Sequence, residues 1–321
     1  VIHPPPDATA PERLRLRDVL SPDEIRALCT LSTFRSSASL LVNWALVLGA
    51  MRLVYVWPNP LSVILALFVI GGRQLGLAIF MHDASHHAVF PNRRLNDWAG
   101  NWLCAYPVWA DMDAYRPYHM QHHNHNWTAD DPDLNLALPF PVTRASFKRK
   151  VWRDLSGQTG LKLLVFSLRR DLGTEGSLIT RLGRTLRHHA SFRGMVITNL
   201  LLVAVSALVG HVALYLLWVA AYLTTYALVT RIRSIAEHSM AKDPSDPLKN
   251  TRTTLASFWE RLFIAPNRVN YHLEHHLLMT VPHYNLPKMH ALLKERGLLD
   301  DALVSPGYLS VLRAAASKPD I

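Results

Sequence analysis

The chain has 321 residues, half of them hydrophobic, and carries 34 Lys and Arg against 24 Asp and Glu, for a net charge of +10. That charge is not a nucleic-acid footprint. Five basic residues lie in 1–38, 15 in 81–194 and 12 in 231–321, with only Arg52 and Arg73 elsewhere, a pattern that reads as membrane topology. Two cysteines, Cys29 and Cys104, are too few for a disulfide frame or a zinc ribbon and are expected to be inert thiols.

The apolar residues fall in blocks. The expected fold is an all-α integral membrane protein with four transmembrane helices, at about 39–57, 61–81, 195–209 and 212–231. By the positive-inside rule the three basic regions are cytoplasmic and the joints Pro58-Asn59-Pro60 and Gly210-His211 lie outside. The spans then form two hairpins beneath a cytoplasmic helical cap. Residues 1–38 make a cytoplasmic N-terminal segment, 39–295 the membrane domain and 296–321 a C-terminal tail.

Residues 1–20 are Pro-rich, then charged, and expected to be loosely held; no signal peptide is expected in 1–38. Ser21-Pro22-Asp23-Glu24 reads as a capped start of a short helix reaching about Leu31. Arg73 and Gln74, inside the second span, are expected to face the bundle as hydrogen-bonded structural residues. Residues 96–110 are apolar and aromatic but too short to span, so an interfacial or re-entrant helix is expected, with Trp98, Trp102 and Tyr106 at helical spacing as candidate substrate-facing residues. Residues 140–193 read as a basic, amphipathic insertion lying along the membrane.

Three histidine boxes organise the chain: His82-Asp83-Ala84-Ser85-His86-His87, His119-Met120-Gln121-His122-His123 and His272-Leu273-Glu274-His275-His276. Residues three and four apart share a helix face, so His119, His122 and His123 are expected to aim at one point, as are His272, His275 and His276, and His82 with His86. His87 sits about 100° round from His86 and is the doubtful member. Eight aligned imidazoles are too many for one metal and suit two. His238, one turn past the fourth span, is a ninth candidate ligand. Asp83, Glu237, Asp130, Asp131, Asp133 and Glu274 are candidates for orienting the imidazoles or for direct ligation, and His125 is a candidate outer or substrate-facing residue. His188, His189, His283 and His290 lack ligand spacing and are left out, and His211 is excluded because it lies at the joint on the far side of the membrane.

This order of hydrophobic pairs and boxes, over roughly residues 39–295, resembles the membrane fatty acid desaturase/hydroxylase superfamily. The tail Leu273-Glu274-His275-His276-Leu277 through Pro282 and Asn285-Leu286-Pro287 is similar to lipid desaturases in particular. The resemblance implies a non-haem di-iron centre at the cytoplasmic face, with O₂ as cosubstrate and His82, His86, His119, His122, His123, His238, His272, His275 and His276 as ligands. Zinc can take iron's place during purification. One position departs from the acyl-CoA branch, which carries Asn where this chain has Ser234.

The implied reaction is removal of two hydrogens from an aliphatic chain to give an alkene. Hydroxylation or ketolation of a lipid, sphingoid base, alkane or carotenoid is the alternative within the superfamily. An unactivated C–H bond is beyond acid–base chemistry, so the hard chemistry belongs to a cofactor. No haem or flavin motif is present, so electrons are expected from a separate ferredoxin, rubredoxin or cytochrome. A zinc-dependent membrane hydrolase is the reading outside this class. A transporter is disfavoured because the histidines sit at helix ends, away from a bilayer midplane.

Overall fold

The computed structural model describes residues 16–319, so most of the segment expected to be loosely held lies outside the described residues. Helix α1 (Pro22–Leu28) starts at the expected box: Ser21 accepts from the Glu24 N–H, and Glu24 accepts from the Ser21 N–H. It stops one turn earlier than expected, at Leu28. Helix α2 (Thr33–Val56) is capped by Ser32, and α3 (Pro60–Ser85) by Asn59, whose Oδ1 accepts from Leu61 and Ser62 at 2.9 and 3.1 Å, with Pro60 in the first turn.

The predicted 96–110 helix is broken into three: α4 (Arg93–Ala99), a π-helical stretch over Gly100–Ala105 and a 3₁₀ turn over Tyr106–Val108. Pro107 has no N–H for a continuing ladder, and Trp109 closes the turn in the left-handed region (φ 56°). Next come α5 (Met112–His125), α6 (Leu134–Ala137) and the insertion helices α7 (Arg144–Leu155), α8 (Gln158–Leu172) and α9 (Leu178–His188).

Helix α10 (Ala190–Val209) begins five residues before the predicted span, and its 20 residues resolve the shortness of that prediction. At about 1.5 Å per residue it matches a 30 Å hydrocarbon core. The fourth apolar segment is not one rod. A 3₁₀ turn (Val212–Leu214) leads into α11 (Tyr215–Leu223), the ladder breaks at Thr224 (φ −115°, ψ −84°), and α12 (Thr225–His238) carries the chain onward. Among the described residues, four stretches are thus long and apolar enough to cross a membrane: Pro22–Val56, Pro60–Ser85, Ala190–Val209 and Val212–His238.

The remainder is α13 (Phe258–Phe263), α14 (His272–Leu277), α15 (Leu286–Glu295) and α16 (Tyr308–Ala315). The all-α expectation needs one small correction: Thr253–Thr254 and Val304–Ser305 pair as a two-residue parallel sheet. The region expected to be a tail is also more than that, because Tyr308, Val311 and Ala315 of α16 are buried against Val229, Ile232 and Ile235 of α12.

Helix α3 is the spine. Its apolar face packs on α2, the 100–108 segment and α11, and Trp44 of α2 stacks on Trp218 of α11 at 5.7 Å. At Gly71 a Cβ would lie 2.3 Å from Thr225 Oγ1, so only glycine lets α12 come this close. The intramembrane polar residues face the bundle and hydrogen-bond as expected, although Arg73 Nε and Gln74 Oε1 are buried without a partner among the described residues. Arg73 donates to the carbonyls of Arg261 and Leu262 at the end of α13, and Gln74 donates to the Trp218 carbonyl at 2.9 Å. Arg73 thereby ties α13, and the segment leading to the third box, to the membrane helix that carries the first.

Candidate metal centre

The first box ends α3. His82 lies in its last turn, His86 is the C-terminal cap, and His87 turns left-handed (φ 56°). The left-handed turn aims His87 away, to 3.6 Å from Asp97 Oδ1, and it joins no cluster. The second box is the last two turns of α5, started by Asp111 accepting from Asp113 and Ala114. The third box is α14, and His238 ends α12.

All nine expected histidines come together, in two groups. His82, His86, His119, His123 and His275 form one; His122, His238, His272 and His276 form the other; within each, one ring nitrogen per residue lies within 4.8 Å of the others. The expectation that each box aims at a single point is therefore corrected. Residues four apart share a group: 82 with 86, 119 with 123, 272 with 276. The residue three along crosses over: His122 leaves the second box for the four-membered group, and His275 leaves the third for the five-membered one. Helix geometry gives the reason. Positions i and i+4 are about 40° apart, while i+3 lies about 100° from i+4, so one helix face serves two adjacent centres.

Carboxylates hold the rings from behind. His82 Nδ1 is 2.9 Å from Asp83 Oδ1, and His122 Nδ1 is 2.8 Å from Asp131 Oδ1. His272 Nδ1 lies 3.5 Å from Glu237 Oε1, an oxygen that also accepts from Arg233 Nε at 2.6 Å. Donation from Nδ1 to a carboxylate leaves Nε2 as the lone-pair nitrogen facing the group. Tyr115 stacks on His119 at 5.0 Å.

Other candidates fall elsewhere. Asp133 accepts from Tyr118 at 2.5 Å and lies 4.0 Å from His122 Nδ1, a peripheral place. Asp130 is exposed, and its backbone carbonyl is what accepts, from Gln121. His125 is in neither group. Glu274, fully buried, takes Thr253 Oγ1 and His290 Nδ1, each at 2.5 Å, and so braces α14 rather than an imidazole of either group. Trp98 is exposed, Trp102 meets Tyr106 edge-on at 5.3 Å, and the Tyr106 ring packs against Gly194 of α10.

Sequence reasoning missed His283 and His290 as partners. His283 Nδ1 sits 3.6 Å from Asp83 Oδ2, behind His82. The available signal was the acid inside the first and third boxes: a buried Asp83 or Glu274 needs a donor, and an unassigned histidine is a natural one.

Several features test whether a metal suits these residues. His82 Nε2, both nitrogens of His86, His119 Nδ1, His238 Nδ1 and His276 Nε2 are buried with no hydrogen-bond partner. His123 Nε2 lies 3.0 Å from His119 Nε2 and 3.1 Å from His275 Nε2, and His272 Nε2 lies 2.8 Å from His238 Nε2. Where Nδ1 carries the proton, as the acids behind His82, His122 and His272 favour, the Nε2 lone pairs converge on a neighbouring ring nitrogen, an arrangement that suits a bound cation. The rings are neutral: burial first, and neighbouring imidazoles second, hold His119, His123, His272, His275 and His276 well below the usual 6.5, and burial pushes His86 down to about 3. The residues fit metal ions, one per group.

The fatty acid desaturase family model matches residues 56–305. Dihydrorhizobitoxine desaturase of Bradyrhizobium elkanii is 29% identical over 303 residues, covering 89% of this chain and 74% of that protein. Beta-carotene ketolase of Paracoccus sp. (strain PC1) is 37% identical over 112 residues, 32% of this chain and 43% of the ketolase. Beta-carotene 4-ketolase of Protosiphon botryoides is 34% identical over 85 residues, 26% of this chain and 21% of that protein. The chain thus spans less than half the length of these ketolases. The family match runs from the end of α2 to the strand before α16 and takes in every histidine of both groups. An oxidoreductase is what such a match describes, and this chain belongs to the fatty acid desaturase family.

Proposed function

We propose that the two histidine groups hold two irons, and that the chain introduces a C=C bond into an aliphatic chain using O₂ and electrons from an external protein. The observation that carries the reading is the division of nine buried or half-buried histidines into groups of five and four, with acids behind His82, His122 and His272. A single hydrolytic zinc needs about four ligands, and this chain assembles more than twice that number. The basic segments and apolar blocks favour two hairpins with the histidine face at the cytoplasmic ends.

A bound iron pair would supply the O₂-dependent hydrogen abstraction that side chains cannot perform. The protein's part is positional. Asp83, Asp131 and Glu237 fix the tautomer and direction of His82, His122 and His272, and the buried setting keeps the imidazoles neutral and ready to ligate. Arg233 balances the charge of Glu237 within the bundle. The balance is one saturated carbon pair, O₂, two electrons and two protons giving one alkene and two waters. The electrons need a donor such as a ferredoxin, rubredoxin or cytochrome, and basic residues on the same face suit an acidic one.

The short ketolase matches favour a second reading, in which oxygen is inserted instead. Lipid mass spectrometry on cells expressing the chain in air, beside cells expressing His122→Ala, decides between them. A His122-dependent species lacking two hydrogens establishes desaturation. One that gains oxygen establishes the second reading. No His122-dependent product from folded, iron-loaded protein supplied with a reductase overturns both.

A further inference from the structure

Behind the five-histidine group, at the end of the bundle where α2 begins and α3 ends, lies a cavity of about 470 Å³ that the chemistry above leaves unused. That volume is within the range of ligand pockets. Its walls carry three arginines, Arg35, Arg261 and Arg268, and no acidic residue. Arg35 donates to Asn285 Oδ1 at 3.2 Å and lies 4.3 Å over the Tyr284 ring. Arg261 gives Nη1 to the Ala256 carbonyl. The half-buried Arg268 side chain has no partner among the described residues.

The backbone holds Arg268 there at a cost. Asn267 and Arg268 are consecutive left-handed residues (φ 52° and 60°), a pairing disfavoured for side-chain-bearing residues. Asn267 locks this turn to the membrane helices, donating to the Gly76 carbonyl at 2.7 Å and accepting from Asn43 Nδ2 at 3.1 Å. Three guanidinium groups around one cavity, of which Arg35 is exposed and the other two half-buried, favour an anion between them.

The cavity reaches toward both the lipid side and the metal centre. Phe34, on its rim, is 81% exposed, and with Ala38 and Ala265 it gives the cavity an apolar side suited to an alkyl chain. On the inner wall, His283 Nε2 lies 3.2 Å from Ser39 Oγ, and its Nδ1 is 3.6 Å from Asp83, the partner of His82. Two side chains separate the cavity from the five-histidine group.

We propose that this cavity binds the anionic head group, carboxylate or phosphate, of a membrane amphiphile, and that this amphiphile is the substrate. The second clause rests on the desaturase reading; the first does not. A neutral hydrocarbon in the same place makes no use of the three arginines, so the site favours an anionic head over an uncharged polyene.

The test uses the iron-loaded full chain in detergent under argon, where no turnover occurs, with radiolabelled palmitate as probe. Hexadecyl phosphate is expected to displace it, and hexadecanol and inorganic phosphate to compete at least about tenfold more weakly, since a charge-assisted hydrogen bond and an apolar tail each contribute on that scale. Arg268→Gln, which removes a side chain with no protein partner, is expected to raise half-saturation by about ten- to a hundredfold with an unchanged melting midpoint. Arg35→Gln is a second probe of the same wall. Competition by hexadecanol equal to that of hexadecyl phosphate, or unaltered palmitate binding in both variants, overturns the site. Inorganic phosphate binding as tightly as hexadecyl phosphate makes the ligand a free anion and overturns the amphiphile. Arg268-dependent palmitate binding without any product in reduced, aerated samples leaves the site standing and overturns the desaturase reading, so the two failures are distinct.

Discussion

Asp131 bridges His122 to the backbone of the following turn: one carboxylate oxygen lies 2.8 Å from His122 Nδ1, and the other accepts the Trp127 N–H at 2.9 Å. Asp131 is buried, so both donors depend on it. Asp131→Ala is expected to cost about 10–100-fold in activity or metal affinity, the usual range when the partner behind a ligand is lost. Iron content by plasma mass spectrometry, alongside product yield, checks this. The four-histidine group should lose its metal first, because His122 belongs there.

Arg231 holds Asp154 with two contacts, at 2.5 and 2.8 Å, and Asp154 is fully buried. This pair joins insertion helix α7 to α12. Arg231→Met leaves a buried carboxylate without its cation and should destabilise the fold by about 3–5 kcal/mol. Adding Asp154→Ala should recover much of that loss, because the uncompensated charge goes too. Melting midpoints of the two single variants and the double variant in one detergent measure the coupling.

Two glycines predict opposite outcomes. At Gly160, in α8, a Cβ would lie 2.2 Å from the Leu223 carbonyl oxygen and 2.5 Å from the Leu223 Cα, both rigid backbone. Gly160→Ala should push α8 off the break at Thr224 and cost about 1–3 kcal/mol. At Gly183, mid-α9, nothing lies within 4 Å of a Cβ. Gly183→Ala should be neutral or stabilise by up to about 1 kcal/mol through helix propensity. Thermal unfolding of the purified variants distinguishes them.

The metal-free protein should be acid-sensitive. His86, His119, His123, His272, His275 and His276 have folded values below 6.5, chiefly through burial, so the unfolded chain binds more protons than the folded one once the pH falls below 6.5. The stability present above that pH is therefore lost as the pH falls toward the folded values. The melting midpoint of the metal-stripped chain is expected to be flat from about pH 7 to 8 and lower at about pH 5. A midpoint unchanged at the lower pH would contradict this.

Much of the architecture was legible because it follows local rules. Asn59-Pro60 starts α3, Ser21 and Glu24 box the start of α1, and apolar blocks of spanning length become helices. Long-range packing enters each of three misplacements, with Pro107 adding a local cause in the first. The 96–110 segment breaks at Pro107, where Tyr106 packs on Gly194; the fourth span breaks at Thr224, where Gly160 packs on Leu223; and residues 308–315 form a core helix because α12 offers them an apolar face.

The sequence by itself determined which histidines gather. Spacings of three and four residues put imidazoles on one helix face whatever the surrounding fold; the eight residues read that way are in the two groups, as is His238, read from its place one turn past the fourth span. Only the tertiary structure decided how they divide. His122 and His275 each have a box-mate on the other side, because a helix face about 100° wide meets two centres and long-range packing sets which ring points where. Partners such as His283 for Asp83, and the joining of Arg35, Arg261 and Arg268 around one cavity, connect positions far apart in the chain. No local periodicity encodes such meetings, since they arise when α2, α3 and the segment after α13 are packed against one another.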